Sequence, residues 1–184
     1  MSTSIPGLTN ITVPEQITVH LGPPDQPAQN VTLPFIDYIK NVASSELYPT
    51  WPENAIRANV FAIVSIALNR IFTDWYRSRG YNFDITSDTR FDQAYVRDRG
   101  IYETMDRIVD EIFNVYISRK GRFEPLYALF CDGRVSQCDG LYQWGSVDLS
   151  NLGYTPLDIL KYYYGEDISL ITAPAGELKY RYPG

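Results

Sequence analysis

The most constraining feature of this chain is one long apolar periodicity in its middle. Thr50 and Glu53 have the spacing of a capping box, and Pro52 falls in a first turn where its missing N–H costs nothing. Ile56, Val60, Ile63, Ala67, Ile71 and Trp75 then recur at spacings of three and four, and Gly80 follows as the stop. The pattern predicts a helix of about 27 residues, roughly 40 Å at 1.5 Å per residue. A helix of that length runs through the centre of a small domain, and the other elements must be arranged around it.

Those elements read as follows. Gln16–Leu21 has the character of a strand, ended by the turn Gly22-Pro23-Pro24-Asp25. Thr32 and Pro34 open a first helix whose apolar side carries Phe35, Ile36, Ile39, Val42 and Ala43, and Pro49 closes it. A third helix is expected over Tyr102–Ser118, with Met105, Ile108, Ile112 and Tyr116 on one face. A strand is expected over Glu124–Cys131, a short helix near Ser146–Asn151, and a last helix from Thr155-Pro156 to Tyr164-Gly165. Ile168–Thr172 would be a closing strand. Together these predict an α+β fold, a mostly helical single domain with a long central helix and a small sheet. Residues 1–15 read as an arm or linker, 16–173 as the domain and 174–184 as a loose tail. At 184 residues, 45% hydrophobic and 21% charged, the chain is large and apolar enough to form one core.

Charge narrows the partners. The net charge is −6 and no basic block occurs, which argues against nucleic acid and against an anionic membrane surface. No run long enough to suggest membrane insertion stands out, and residues 1–10 lack the basic start and apolar stretch of a secretory signal. Fifteen Tyr, eight Phe and three Trp make the chain 14% aromatic. Such rings suit sugar faces, and they serve an ordinary core equally well. Cys131 and Cys138 are seven apart, a spacing open to a disulfide, to half a metal site such as zinc, or to free thiols. The one histidine, His20, is distant in sequence, so no local Cys/His zinc motif is written and no cofactor is called for.

Two blocks carry a family resemblance. The first is Tyr38-Ile39-Lys40-Asn41-Val42-Ala43-Ser44-Ser45-Glu46, continued by Trp51-Pro52-Glu53-Asn54-Ala55-Ile56-Arg57-Ala58. The second is Gly140-Leu141-Tyr142-Gln143-Trp144-Gly145-Ser146, continued by Asn151-Leu152-Gly153 and Ile159-Leu160-Lys161-Tyr162-Tyr163-Tyr164. Weaker echoes lie at Asp92-Gln93-Ala94-Tyr95 and Cys131-Asp132-Gly133-Arg134. In this order the blocks resemble the stage II sporulation protein D family. Its members include lytic transglycosylases that cut peptidoglycan glycan strands stripped of stem peptides.

The resemblance implies that Glu46 is the catalytic acid, since it occupies the place of the family's Ser-Glu glutamate. Gln143, Trp144 and Tyr142 are candidates for glycan contact, Trp144 as a face that stacks on a sugar and Gln143 as a partner for an N-acetyl group, with Gln93 and Tyr95 as further candidates. Val64 stands where the family has an arginine, the segment before Gln143-Trp144 is shorter, and no histidine precedes Gly140. These departures keep open a noncatalytic peptidoglycan-binding module, or a structural component of a secreted or phage-tail-like particle. A wall-acting domain would work outside the cytoplasm, and one without its own signal would be carried by a larger protein or particle.

The residues around Glu46 suit an acid. It lies at a helix C-terminus, where the dipole disfavours a carboxylate. Leu47, Tyr48 and Trp51 follow it, and an apolar wall would raise its pKa further.

Overall fold

The computed structural model describes residues 11–174. The opening strand β1 (Gln16–His20) pairs antiparallel with β2 (Asn30–Pro34), Val19 facing Val31 across the ladder. His20 holds the turn between them. Its ring stacks on Phe83 at 4.4 Å, its Nδ1 lies 2.7 Å from Asn30 Oδ1, and its Nε2 lies 2.9 Å from the Gln26 carbonyl oxygen. The only histidine is therefore built into the sheet, far from the cysteines. Of the segment read as an arm, residues 1–10 lie outside the described residues, while Ile11 and Val13 are buried in the core. The tail read from residue 174 is described only at Pro174.

The strand β2 runs directly into α1 (Phe35–Glu46), because Pro34 is compatible with both a strand end and a helix entry. The expected opening at Thr32 is corrected: Thr32 is paired with Thr18 in the ladder. Next comes α2 (Glu53–Phe72), whose apolar residues are buried on nearly every side. An 18-residue window here is apolar enough for a membrane span, so the sequence reading that found no such run is corrected. In the fold 78% of that window is covered by protein.

Each polar residue inside α2 ties it to one neighbour. The Asn59 amide donates to Ser146 Oγ at 2.9 Å, Ser65 Oγ accepts from Ile117 N–H at 2.8 Å, and the Asn69 amide donates to the Pro125 carbonyl at 3.0 Å. A buried hydroxyl or amide must find such partners or cost stability.

Both ends of α2 differ from the sequence expectation. Pro52 is the N-cap and no side chain caps the helix, so the Thr50/Glu53 box does not form. Glu53 instead bonds Arg107 at 2.8 Å and Arg57 at 3.3 Å. At the other end the helix stops at Phe72, one turn before Trp75. Asp74 takes a left-handed φ of 47°, with Trp75 N–H on the Arg70 carbonyl and Asp74 N–H on the Ile71 carbonyl. That is a Schellman stop with aspartate in the position glycine usually fills. A short 3₁₀ turn, Arg77–Arg79, follows, and Gly80 at φ 90° ends that turn instead of the long helix.

A two-residue strand β3 (Ile85–Thr86) joins β1 in parallel. The third helix α3 is shorter than expected, Glu103–Ile112, with Met105, Ile108 and Ile112 buried. Beyond Asn114 the chain becomes β4 (Val115–Arg119), paired antiparallel with β7 (Ile168–Thr172). Tyr116 had continued the helical spacing, but it sits in a run with β-branched neighbours that has a strand partner. Of the strand expected over 124–131, only β5 (Phe130–Cys131) forms a ladder, in parallel with β6 (Leu141–Tyr142). The last helices are α4 (Gln143–Asn151) and α5 (Pro156–Tyr164). A capping box at Thr155 and Asp158 starts α5. Helices α1, α3, α4 and α5 and strands β3 and β4 all pack on α2. The architecture is α+β, with helices around a central helix and three small sheets at the periphery.

Candidate active site

Glu46 is the last residue of α1. Phe35, Tyr38, Ile39 and Val42 bury the helix against the core and fix its C-terminus. Asn41, one turn earlier, clamps the neighbouring segment: its amide donates to the Val96 carbonyl at 2.7 Å and accepts from Val96 N–H at 3.0 Å. This holds residues 92–96 beside Glu46, whose carboxyl accepts from the Ala94 N–H. Glu46 has no cationic partner among the described residues. Burial raises its pKa from 4.5 to about 7, and the Ala94 hydrogen bond offsets only part of that rise.

The opposite side is built by the second block. Gly140 is required there: a Cβ would lie 1.8 Å from the Leu129 carbonyl oxygen, which the β5–β6 pairing brings close. Gly145 leaves room for the Tyr163 hydroxyl, which a Cβ there would meet at 1.9 Å. With these approaches allowed, α4 docks on α5 and places Gln143 toward α1. Between β5 and β6 the loop is closed by a Cys131–Cys138 disulfide, with Cα atoms 6.1 Å apart. Asp132 organises the same loop, its Oδ1 accepting from the N–H groups of Arg134, Val135 and Ser136. Those hydrogen bonds, Ser136 first, hold the Asp132 carboxyl below its ordinary pKa.

The outcome is an open cleft of about 430 Å³ lined by Glu46, Thr89, Asp92, Asp132 and Gln143, together with Phe130, Cys131 and Ser136. Glu46 and Gln143, nearly a hundred residues apart in sequence, share it. The Gln143 amide nitrogen is buried and has no hydrogen-bond partner.

The other expected glycan contacts lie elsewhere. Trp144 is half-buried in a cluster with Tyr48 and Trp51, at ring distances of 5.6 and 4.8 Å, and the Arg134 guanidinium covers its ring at 3.6 Å. It is not part of the cleft lining. Tyr142 packs on Tyr163. Gln93 is fully buried and donates to Tyr38 Oη and the Ile63 carbonyl, both at 3.2 Å, and Tyr95 stacks on Tyr38. These two support the wall from behind.

Cys131 lines the cleft, and its sulfur is bonded to that of Cys138. The free-thiol and zinc alternatives therefore give way to the disulfide. Among the described residues no group of three or more His, Cys, Asp or Glu is placed to hold a metal ion.

Asp92 and Asp132 were not singled out by sequence, although both fall in the two short family echoes. Asp92 is the centre of a buried network. Its Oδ1 accepts from Arg70 Nε at 2.7 Å, and its Oδ2 accepts from Tyr76 Oη at 2.7 Å and from Thr86 N–H and Oγ1 at 2.9 and 2.7 Å.

Fold and site together define a small α+β domain with one unpaired, near-neutral carboxylic acid in an open polar cleft. The family model described as Stage II sporulation protein (SpoIID) matches residues 27–114, which include Glu46. Over that segment the chain is similar to the stage II sporulation protein D family, which is consistent with a role connected to the cell wall. Gln143 and Trp144 lie outside the matched residues. No curated protein matches the chain.

Proposed function

We propose that this domain is a peptidoglycan lytic transglycosylase that cuts the MurNAc–GlcNAc bond of denuded glycan strands, with Glu46 as its single acid and base. The observation that carries this reading is the unpaired Glu46 carboxyl, shifted to about 7 by burial, in an open cleft shared with Gln143. Protonated Glu46 gives its proton to the glycosidic oxygen. The C1–O bond breaks, GlcNAc leaves as an alcohol, and positive charge develops on the MurNAc ring. The Glu46 carboxylate then takes the C6 hydroxyl proton while O6 bonds to C1, which closes a 1,6-anhydro ring and regenerates the acid. No water is consumed, so no second catalytic carboxylate is needed.

The unpartnered Gln143 amide supports recognition of an N-acetyl group, whose carbonyl would satisfy it. The Cys131–Cys138 disulfide supports work outside the cytoplasm, where such bonds persist.

A second reading rests on Asp132, whose lowered pKa leaves an ionised carboxylate in the same cleft as a protonated one. That pairing also suits a two-carboxylate hydrolase. Mass analysis of the products from denuded glycan separates the readings. Anhydro-MurNAc ends support the transglycosylase, and reducing MurNAc ends support hydrolysis. Binding without cleavage supports a noncatalytic wall-binding module.

A further inference from the structure

A second pocket, of about 460 Å³, opens beside the Glu46 cleft and plays no part in the chemistry above. Arg70, Arg79 and Arg90 line it with Trp75, Tyr76, Tyr127 and other apolar or aromatic groups, and no carboxylate is in its lining. Trp75, Phe91 and Leu129 are 39%, 40% and 42% exposed, and all three face this one pocket. The Schellman stop at Asp74 creates it, because a continuing helix would have kept Trp75 in the α2 stripe.

The cations and rings alternate. The Arg70 guanidinium lies 4.3 Å from the Tyr127 ring and 4.5 Å from the Trp75 ring, and Arg79 lies 3.8 Å from Trp75. Stacking fixes each guanidinium plane, and a fixed planar fork is the geometry that recognises a carboxylate. Arg70 is already paired with Asp92, and Arg90 with Asp88. Arg79 has no acidic partner among the described residues. Only its Nη1 is engaged there, on the Trp75 carbonyl and the Ser78 hydroxyl. On a chain of net charge −6, an acid-free pocket with an unpaired arginine against an exposed tryptophan suits an anionic sugar.

Two segments of the chain contribute to both the pocket and the cleft. In one segment Thr89 and Asp92 line the cleft while Arg90 and Phe91 line the pocket. In the other, Phe130 and Cys131 line the cleft while Tyr127 and Leu129 line the pocket.

Resting on the glycan-strand reading of the Glu46 cleft, we infer that this pocket is a distal subsite that binds the lactyl carboxylate of a MurNAc unit on the same strand, with Arg79, held in place against the Trp75 ring, as its anion-binding group. Recognition of that carboxylate selects muramic strands over neutral N-acetylglucosamine polymers.

The test measures binding of uncut strands to Glu46→Gln protein, with and without Arg79→Ala. The probes are denuded glycan fragments, the same fragments with their lactyl carboxyls amidated, and chito-oligosaccharides. Native fragments should bind about 10-fold tighter than either neutral probe, the scale of one charge-assisted contact. Arg79→Ala should abolish that preference, and Arg79 is exposed enough for the fold to survive. Equal binding of native and amidated fragments, or a preference that survives Arg79→Ala, overturns the inference. Competition by free stem peptide as strong as by native fragments would assign the carboxylate to peptide and overturn it too. An Arg79-dependent preference in a protein that cuts no strand would remove the catalytic reading and leave this one standing. Cleavage with no Arg79 dependence would do the reverse.

Discussion

Two of the three carboxylates that line the cleft, Asp92 and Glu46, are treated in opposite ways. Asp92 is enclosed by donors from Arg70, Tyr76 and Thr86, so both its oxygens are satisfied. Glu46 is partly screened from water without a cation and with one backbone N–H, and that burial raises its pKa to about 7. A satisfied buried acid contributes to the fold, because removing it strands its partners. An unsatisfied one is a standing cost to the fold, and its value lies in the chemistry it can do. On the proposed function, the difference separates a structural acid from a catalytic one in the same cleft.

The largest effect expected from this contrast is on stability at Asp92. Asp92→Ala leaves the Arg70 charge buried without its partner and should destabilise the domain by about 3–5 kcal/mol, read by denaturant unfolding. A loss below about 1 kcal/mol would mean that the network does not hold the cleft wall.

Glu46→Gln should act in the opposite direction. With a folded pKa above its unfolded value of 4.5, the wild-type glutamate destabilises the fold progressively as pH rises from about 4.5 to 7, where the unfolded chain has released a proton that the folded chain still holds. Above pH 7 the penalty is constant. Glu46→Gln should therefore match wild type near pH 4 and exceed it by up to about 3 kcal/mol at pH 8, measured by urea unfolding at both pH values. The same substitution should cut strand cleavage by about 10²-fold or more. Wild-type cleavage should fall about tenfold per pH unit above 7 as the acid ionises.

Reduction of the Cys131–Cys138 bond should cost less, about 2–3 kcal/mol from the short loop it closes, and should loosen the Asp132 side of the cleft. Thermal unfolding with and without reductant measures it. Arg134→Ala should have the smallest effect, about 0.5–1 kcal/mol from the lost stack on Trp144, with a changed tryptophan emission.

Local rules carried much of the fold. The Thr155-Pro156 start of α5, the Gln16 strand and the Ile168–Thr172 strand rest on capping and alternation that neighbouring residues decide by themselves. Non-local choices were less legible. Tyr116 obeyed a helical period until β7 offered it a ladder, and Trp75 obeyed one until Asp74 adopted a backbone conformation that favours glycine.

The site divided in the same way. Glu46 and Gln143 were legible from residue blocks that resemble a known family. The Asp92 network was not, because Arg70 and Asp92 meet across 22 positions with no periodic signature. The tryptophan of the second block was legible as an aromatic, but Arg134 covers its ring from a loop tip that sequence patterning does not place.

The most direct test of the central claim is a ¹³C titration of the Glu46 side-chain carboxyl in the intact protein, assigned by its absence in Glu46→Gln. A midpoint near pH 7, well apart from the exposed glutamates, is the result expected for an unpaired buried acid. A midpoint near 4.5 would show a solvated or paired carboxylate and would contradict the assignment of Glu46 as the acid.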